Sequence, residues 1–115
     1  MLEVEKEKIN IIIKAPGQKP RIGQIRPTLE EYKYVVYGDI ESIPFPGMDD
    51  VDIVVNDMGK LLGLPKNIVI PEYGDILMGT IFFIGVDEKT CMWKSMPEDK
   101  IEKVLEYLEK YDLNK

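Results

Sequence analysis

Between Val51 and Asn67 the chain passes from a β-branched run, Val51-Asp52-Ile53-Val54-Val55, through the polar reversal Asn56-Asp57-Met58-Gly59-Lys60 into an apolar stretch punctuated by Gly63 and Pro65. A run of that kind reads as a strand, and the turn formers after it force a reversal within a few residues. The chain is thereby committed to a sheet with short connections. Val51 to Val55 is apolar at every position except Asp52, so this strand is expected to be buried on both faces.

The flanking sequence supplies further short elements. Lys8 to Lys14 is β-branched and is closed by Ala15-Pro16-Gly17-Gln18-Lys19-Pro20, and Arg21 to Ile25 alternates loosely as a second short strand. Thr28 and Glu31 have capping-box spacing, and Leu29, Tyr32 and Val36 then form one apolar stripe. A helix of about ten residues follows from that spacing, with Gly38 expected to end it in a left-handed conformation. Asp39 to Phe45 predicts an irregular strand that Pro44 confines to an edge or a strand end. Leu61 to Leu64 is expected to continue a hairpin, and Ile68-Val69-Ile70 forms another short strand before Pro71. Ile76 to Val86 is the most apolar stretch and the expected central strand, with Gly79 marking a bend, a bulge or a close backbone contact. Ser95 and Glu98 repeat the capping-box spacing, and Ile101, Val104, Leu105 and Leu108 predict a C-terminal helix from about Pro97 to Tyr111. The fold class is therefore α+β: a curved, mostly antiparallel sheet carrying one short helix after the second strand and a longer C-terminal helix.

With 115 residues and 44% hydrophobic content, the chain is expected to form a single domain over residues 1–115, with residues 1–7 and 112–115 frayed. No apolar run approaches the roughly 20 residues of a membrane span. The segment Glu3 to Lys8 lacks the apolar middle of a secretory signal, and the single Cys91 has no partner for an internal disulfide, so a reducing cytosol is the expected setting. A net charge of −6 argues against a nucleic-acid binder, which gains its affinity from clustered Lys and Arg. The chain contains no histidine, which removes the usual general base and the commonest transition-metal ligand. Asp49, Asp50, Asp52 and Asp57 lack calcium-loop spacing, although alternation would turn Asp50 and Asp52 to one face. No metal and no cofactor is expected.

The order of elements, together with Pro16-Gly17, Thr28-Leu29-Glu30, Gly38-Asp39-Ile40-Glu41, Ile43-Pro44, the run Asn56 to Asn67, Asp75-Ile76 and Gly79-Thr80, resembles domain-of-unknown-function family 3846. That family comprises small proteins of phages and mobile elements, mainly in Firmicutes. The resemblance covers about residues 8 to 110 and is most specific in the middle; this chain has Asn67-Ile68 where members often carry Asn-Arg. It implies no chemistry. The mobile-element setting implies accessory or counter-defence work in the cytoplasm of a bacterial host.

Within the central run, Asn56 either caps the turn or joins Lys60 and Asn67 in a pocket where amides read a base or ribose edge and the ammonium pairs with a phosphate. Tyr32, Tyr34 and Tyr37 lie on different faces of the first helix, so an exposed one, such as Tyr34, is available to stack on a ligand or anchor a partner. Trp93, just before the C-terminal helix, is either a lid on the core or a stacking platform. Arg21 and Arg26 flank the second strand as solvated cations or as phosphate contacts.

Two functions follow as expectations. The first is a non-enzymatic protein that binds and sequesters a small nucleotide-like ligand through Lys60, Asn67, Asn56, Tyr34 and Trp93. The second is an interaction module that inhibits or recruits a host protein through an acidic surface and exposed aromatics. Nucleic acid and membrane are not expected partners, and unpaired edge strands leave room for a homodimer.

Overall fold

A computed structural model describes residues 7–115, so all but the last residue of the expected frayed N-terminus, 1–7, lies outside the described residues. Eight strands and two helices follow in chain order: β1 (Ile9–Lys14), β2 (Arg21–Ile25), α1 (Leu29–Val36), β3 (Ile40–Pro44), β4 (Val51–Asn56), β5 (Lys66–Ile70), β6 (Asp75–Met78), β7 (Ile81–Val86), β8 (Trp93–Lys94) and α2 (Glu98–Tyr111). The main sheet has the order β2-β1-β7-β4-β3, with β8 also paired to β7, and β5 and β6 form a separate hairpin. Each of these pairings is antiparallel. The class expected from the sequence, α+β with a short mid-chain helix and a C-terminal one, is what the chain adopts.

Period-two alternation divides the apolar residues between two cores. Ile11, Ile13, Val54, Phe82 and Ile84 face α1 and pack on Tyr32 and Val36. Ile12, Val51, Ile53, Ile81 and Phe83 face the opposite way, toward the β5–β6 hairpin and the Val104 and Leu108 stripe of α2. β4 is buried at every position except the half-buried Asp52, as its composition predicts. β3 lies at the sheet edge and ends at Pro44, which has no amide hydrogen to offer a further strand.

Several local expectations are corrected. The Ile76 to Val86 stretch is two strands in different sheets, because Gly79 at φ 77° breaks it and packs where a Cβ would meet Leu64 Cδ1 at 2.8 Å. Leu61 to Leu64 is turn and coil rather than a hairpin arm: Leu62 N–H donates to Met58 O at 2.8 Å and Leu64 N–H to Gly59 O at 3.0 Å, so local bonds satisfy the backbone. The left-handed residue ending α1 is Tyr37, at φ 62° and ψ 37°, and not Gly38. Gly38 is needed for space, since a Cβ there would lie 2.8 Å from Asn56 Nδ2. At the other end of α1 the Thr28 hydroxyl accepts from Glu31 N–H at 3.2 Å, as predicted, while the Glu31 carboxylate turns to Arg26 N–H at 3.1 Å.

The second capping box does not form. Pro97 takes the N-cap position without a side-chain bond, and Ser95 Oγ accepts from Asn10 N–H at 2.9 Å. Ser95 is held there because β8 runs along β7 beyond the end of β1, with Met96 N–H donating to Asn10 O at 2.9 Å. Asp50 and Asp52 do not share a face: Asp50 precedes the strand and pairs with Lys100 of α2 at 2.7 Å, whereas Asp52 meets Trp93 on the α1 side. The 112–115 segment, expected to fray, is hydrogen-bonded to β5 through Leu113 N–H to Asn67 O at 3.0 Å and Asn114 Nδ2 to Lys66 O at 2.7 Å.

Candidate functional site

Asn56, on the α1 face of β4, is buried and makes three hydrogen bonds. Its Nδ2 donates to Val36 O at 3.1 Å and to Tyr37 O at 3.3 Å, and its Oδ1 accepts from Met58 N–H at 2.8 Å. The two Nδ2 bonds satisfy carbonyls at the end of α1, which have no partner within the helix, and the Oδ1 bond fixes the turn after β4. Asn67 is fully buried, and its Nδ2 donates to Lys14 O and to Gly79 O, each at 2.8 Å. It ties the end of β1 to the bend between β6 and β7. Lys60 projects into solvent and pairs with the Asp75 carboxylate, which also accepts from Ile76 N–H. Asn56 and Lys60 border one cavity of about 110 Å³, too small for a ligand site, where roughly 300–1,000 Å³ is usual. Asn67 does not border it.

Trp93 is half-buried, with Nε1 donating to Asp52 Oδ2 at 2.9 Å and its ring meeting Tyr32 edge-on at a centroid distance of 4.9 Å. Burial pushes the Tyr32 hydroxyl above its usual range. Trp93 and Tyr32 form an open apolar shelf with Pro27, Cys91 and Met92. Tyr34 lies apart from that shelf. The five residues singled out from the sequence are therefore spread over four places, and only Asn56 and Lys60 meet.

Another depression surrounds Tyr34. It is a groove of about 420 Å³ between α1 and the β1–β2 hairpin, bordered by Gln18, Lys19, Arg21, Glu31, Tyr34 and Tyr37. Helical spacing puts Glu31 and Tyr34 on one side of α1, and the left-handed turn at its end brings Tyr37 beside them. Gly23 contributes no side chain to the floor, where Ile13 Cδ1 already lies 2.7 Å from the position of a Cβ. Tyr34 is 79% and Tyr37 78% exposed, so neither ring is needed by the core. Glu31 is the groove's one carboxylate, and it is engaged by Arg26 N–H. Lys19 and Arg21 have no ion pair among the described residues, so the groove presents two unpaired cations beside one carboxylate on a chain of net charge −6.

Of this groove, the sequence reading selected Tyr34, considered Arg21 and Tyr37, and passed over Gln18 and Lys19. A signal existed in Lys19-Pro20-Arg21, two cations where a turn enters a strand, but their proximity to α1 depends on how the hairpin packs. Among the described residues no group of three or more carboxylate, histidine or cysteine side chains is gathered to hold a metal ion. No helix among them is long and apolar enough to cross a membrane.

No curated protein and no solved structure matches the chain. A protein-family model does match, over residues 9–111, and the chain belongs to that family, the domain of unknown function DUF3846.

Proposed function

We propose that the protein is a non-enzymatic binding protein that sequesters a small nucleotide-like ligand in the groove between α1 and the β1–β2 hairpin, as an accessory, counter-defence protein of a phage or mobile element. The observation that carries this reading is the pairing of two exposed rings, Tyr34 and Tyr37, with two unpaired cations, Lys19 and Arg21, in one groove of ligand size. Tyrosine rings offer a stacking surface for a base, and a guanidinium matches phosphate oxygens in bidentate fashion. Gln18 adds an amide to read a base or ribose edge. The groove offers no histidine, and its carboxylate is occupied, which favours binding over acid–base chemistry.

The test is a thermal-shift series against cyclic mono- and dinucleotides and ADP-ribose derivatives. A ligand that binds only the native state raises its stability by about 2.7 kcal/mol at a hundredfold excess over Kd. Arg21→Ala and Tyr34→Ala abolish the shift, whereas Lys60→Ala, outside the groove, retains it. Absence of any shift across the series refutes the reading.

A second reading, a module that blocks or recruits a host protein, is favoured by one surface. Met58, Leu61 and Leu62 are 43%, 79% and 61% exposed on the hydrogen-bonded turn after β4, at the i, i+3, i+4 spacing of a helical anchor. It predicts association with a host protein that weakens in high salt and is lost in Leu61→Glu; an association that salt does not weaken contradicts its electrostatic form.

A further inference from the structure

Tyr37 sits in a conformation that a residue with a Cβ rarely adopts, and a glycine is its immediate neighbour. At φ 62° and ψ 37° it closes α1 in the left-handed region, where glycine is the usual occupant. The adjacent Gly38 does not relieve this, because its missing Cβ makes room for Asn56. Backbone bonds at the helix end and to Asn56 hold this conformation, and the ring adds nothing to them: it is 78% exposed and has no hydrogen bond or ring contact among the described residues. Strained residues that the surroundings hold in place concentrate at functional sites.

The surroundings here are specific. Asn56 is 6% exposed, and its Nδ2 grips both Val36 O and Tyr37 O while its Oδ1 is fixed by Met58 N–H. This holds the carbonyl of Tyr37 and the adjoining helix end, and so fixes the backbone from which the Tyr37 side chain projects beside the groove.

We infer that Tyr37 is the ring-stacking, specificity-determining residue of the groove, selecting ligands with a planar heteroaromatic face, and that Asn56 is the positioning residue that holds it there. The inference rests on the ligand-binding reading above.

The experiment compares Tyr37→Gly, Tyr37→Phe and wild type in melting temperature and in titrations with ADP-ribose and with cyclic di-AMP, run separately. Tyr37→Gly relieves the left-handed strain, so it melts at or above the wild-type temperature. Its affinity for the nucleotide that wild type binds falls about tenfold or more, the scale of one base–aromatic stack. Tyr37→Phe keeps the ring and stays within about threefold of wild type. Asn56→Ala weakens the same titration in the wild-type background and adds no further loss in the Tyr37→Gly background, as a double-mutant cycle requires of coupled residues. If Tyr37→Gly binds like wild type, or melts lower, the role of Tyr37 is overturned while the groove reading stands. If the Asn56→Ala effect is the same in both backgrounds, its positioning role is overturned. A wild-type protein that binds neither nucleotide overturns the inference, and if it also fails across the wider series the groove reading falls with it.

Discussion

Lys14 gives the sharpest stability prediction. It continues the face of β1 that carries Ile12 toward α2, and its side chain is fully buried. Its Nζ has two partners, Ala15 O at 2.9 Å and Asp112 Oδ2 at 3.2 Å, so Asp112 supplies the only counter-charge among the described residues. Asp112→Asn keeps the shape and removes that charge. Breaking a buried pair from one side costs roughly 3–5 kcal/mol, and the 16% exposure of the Asp112 side chain admits some water, which places the cost near the lower end, about 3 kcal/mol. That is a large part of the roughly 5–15 kcal/mol that holds a typical domain folded. At about 4 °C per kcal/mol for a chain of this size, the melting temperature falls by about 12 °C. Urea unfolding followed by circular dichroism measures the change.

The pH dependence follows from the same pair. Burial pushes the Asp112 carboxyl upward, but the Asn114 N–H and the Lys14 ammonium outweigh it and hold it below the usual carboxylate range. A carboxyl with a depressed folded pKa contributes stability that is fully present above its unfolded value, about 3.9, and lost as pH falls through its folded value. The gap between wild type and Asp112→Asn is therefore constant near neutrality and closes in acid. Replacing both partners, Lys14→Met with Asp112→Leu, recovers most of the loss because no buried charge remains. A stability for Asp112→Asn within about 0.5 kcal/mol of wild type at pH 7 refutes the argument, since a pair that loose belongs on the surface.

Two glycine and amide positions extend these tests. Gly85→Ala drives a Cβ to 2.2 Å from Ser95 O, a backbone atom, so β7 and the segment after β8 must separate; the expected loss is about 3 kcal/mol in urea, and an unchanged midpoint would count against the close packing described. Asn67→Ala strands the Lys14 and Gly79 carbonyls and costs about 2 kcal/mol, while nucleotide titrations of the folded variant match wild type; altered affinity would return Asn67 to the binding site.

Local chemistry made much of the fold legible. Thr28 with Tyr32 and Val36 sets α1, although Leu29, expected in the same stripe, is 57% exposed; the Ile101 to Leu108 stripe sets α2, and β-branched runs set β1 and β4. The errors fall where two segments of similar local character meet different neighbours. Ile76 to Val86 is apolar on both sides of Gly79-Thr80, so although Gly79 marks a break, only the partners Lys66 to Ile70 and Val51 to Val54 place its halves in different sheets. Ser95 and Glu98 have the spacing of a cap, yet β8 carries Ser95 to Asn10 instead. The candidate site was less legible, because amides look alike in sequence whether they meet ligand or backbone. The amide nitrogens of Asn56 and Asn67 are occupied by carbonyls from residues far along the chain, while the buried Asn67 Oδ1 has no hydrogen-bond partner among the described residues.

The sequence by itself determined the α+β class, the single strongly amphipathic C-terminal helix, the alternation that sorts apolar residues onto two sheet faces, and the family. These depend on contacts within a turn or on period-two and period-3.6 spacing, which the chain carries locally. Only the tertiary structure decided that Lys14 is buried against Asp112, that Asn56 anchors the end of α1, and that Tyr34 and Tyr37 share a groove with Lys19 and Arg21. Each of those requires segments distant in sequence to be packed side by side, and their proximity is fixed by sheet order and layer packing rather than by the residues' own preferences.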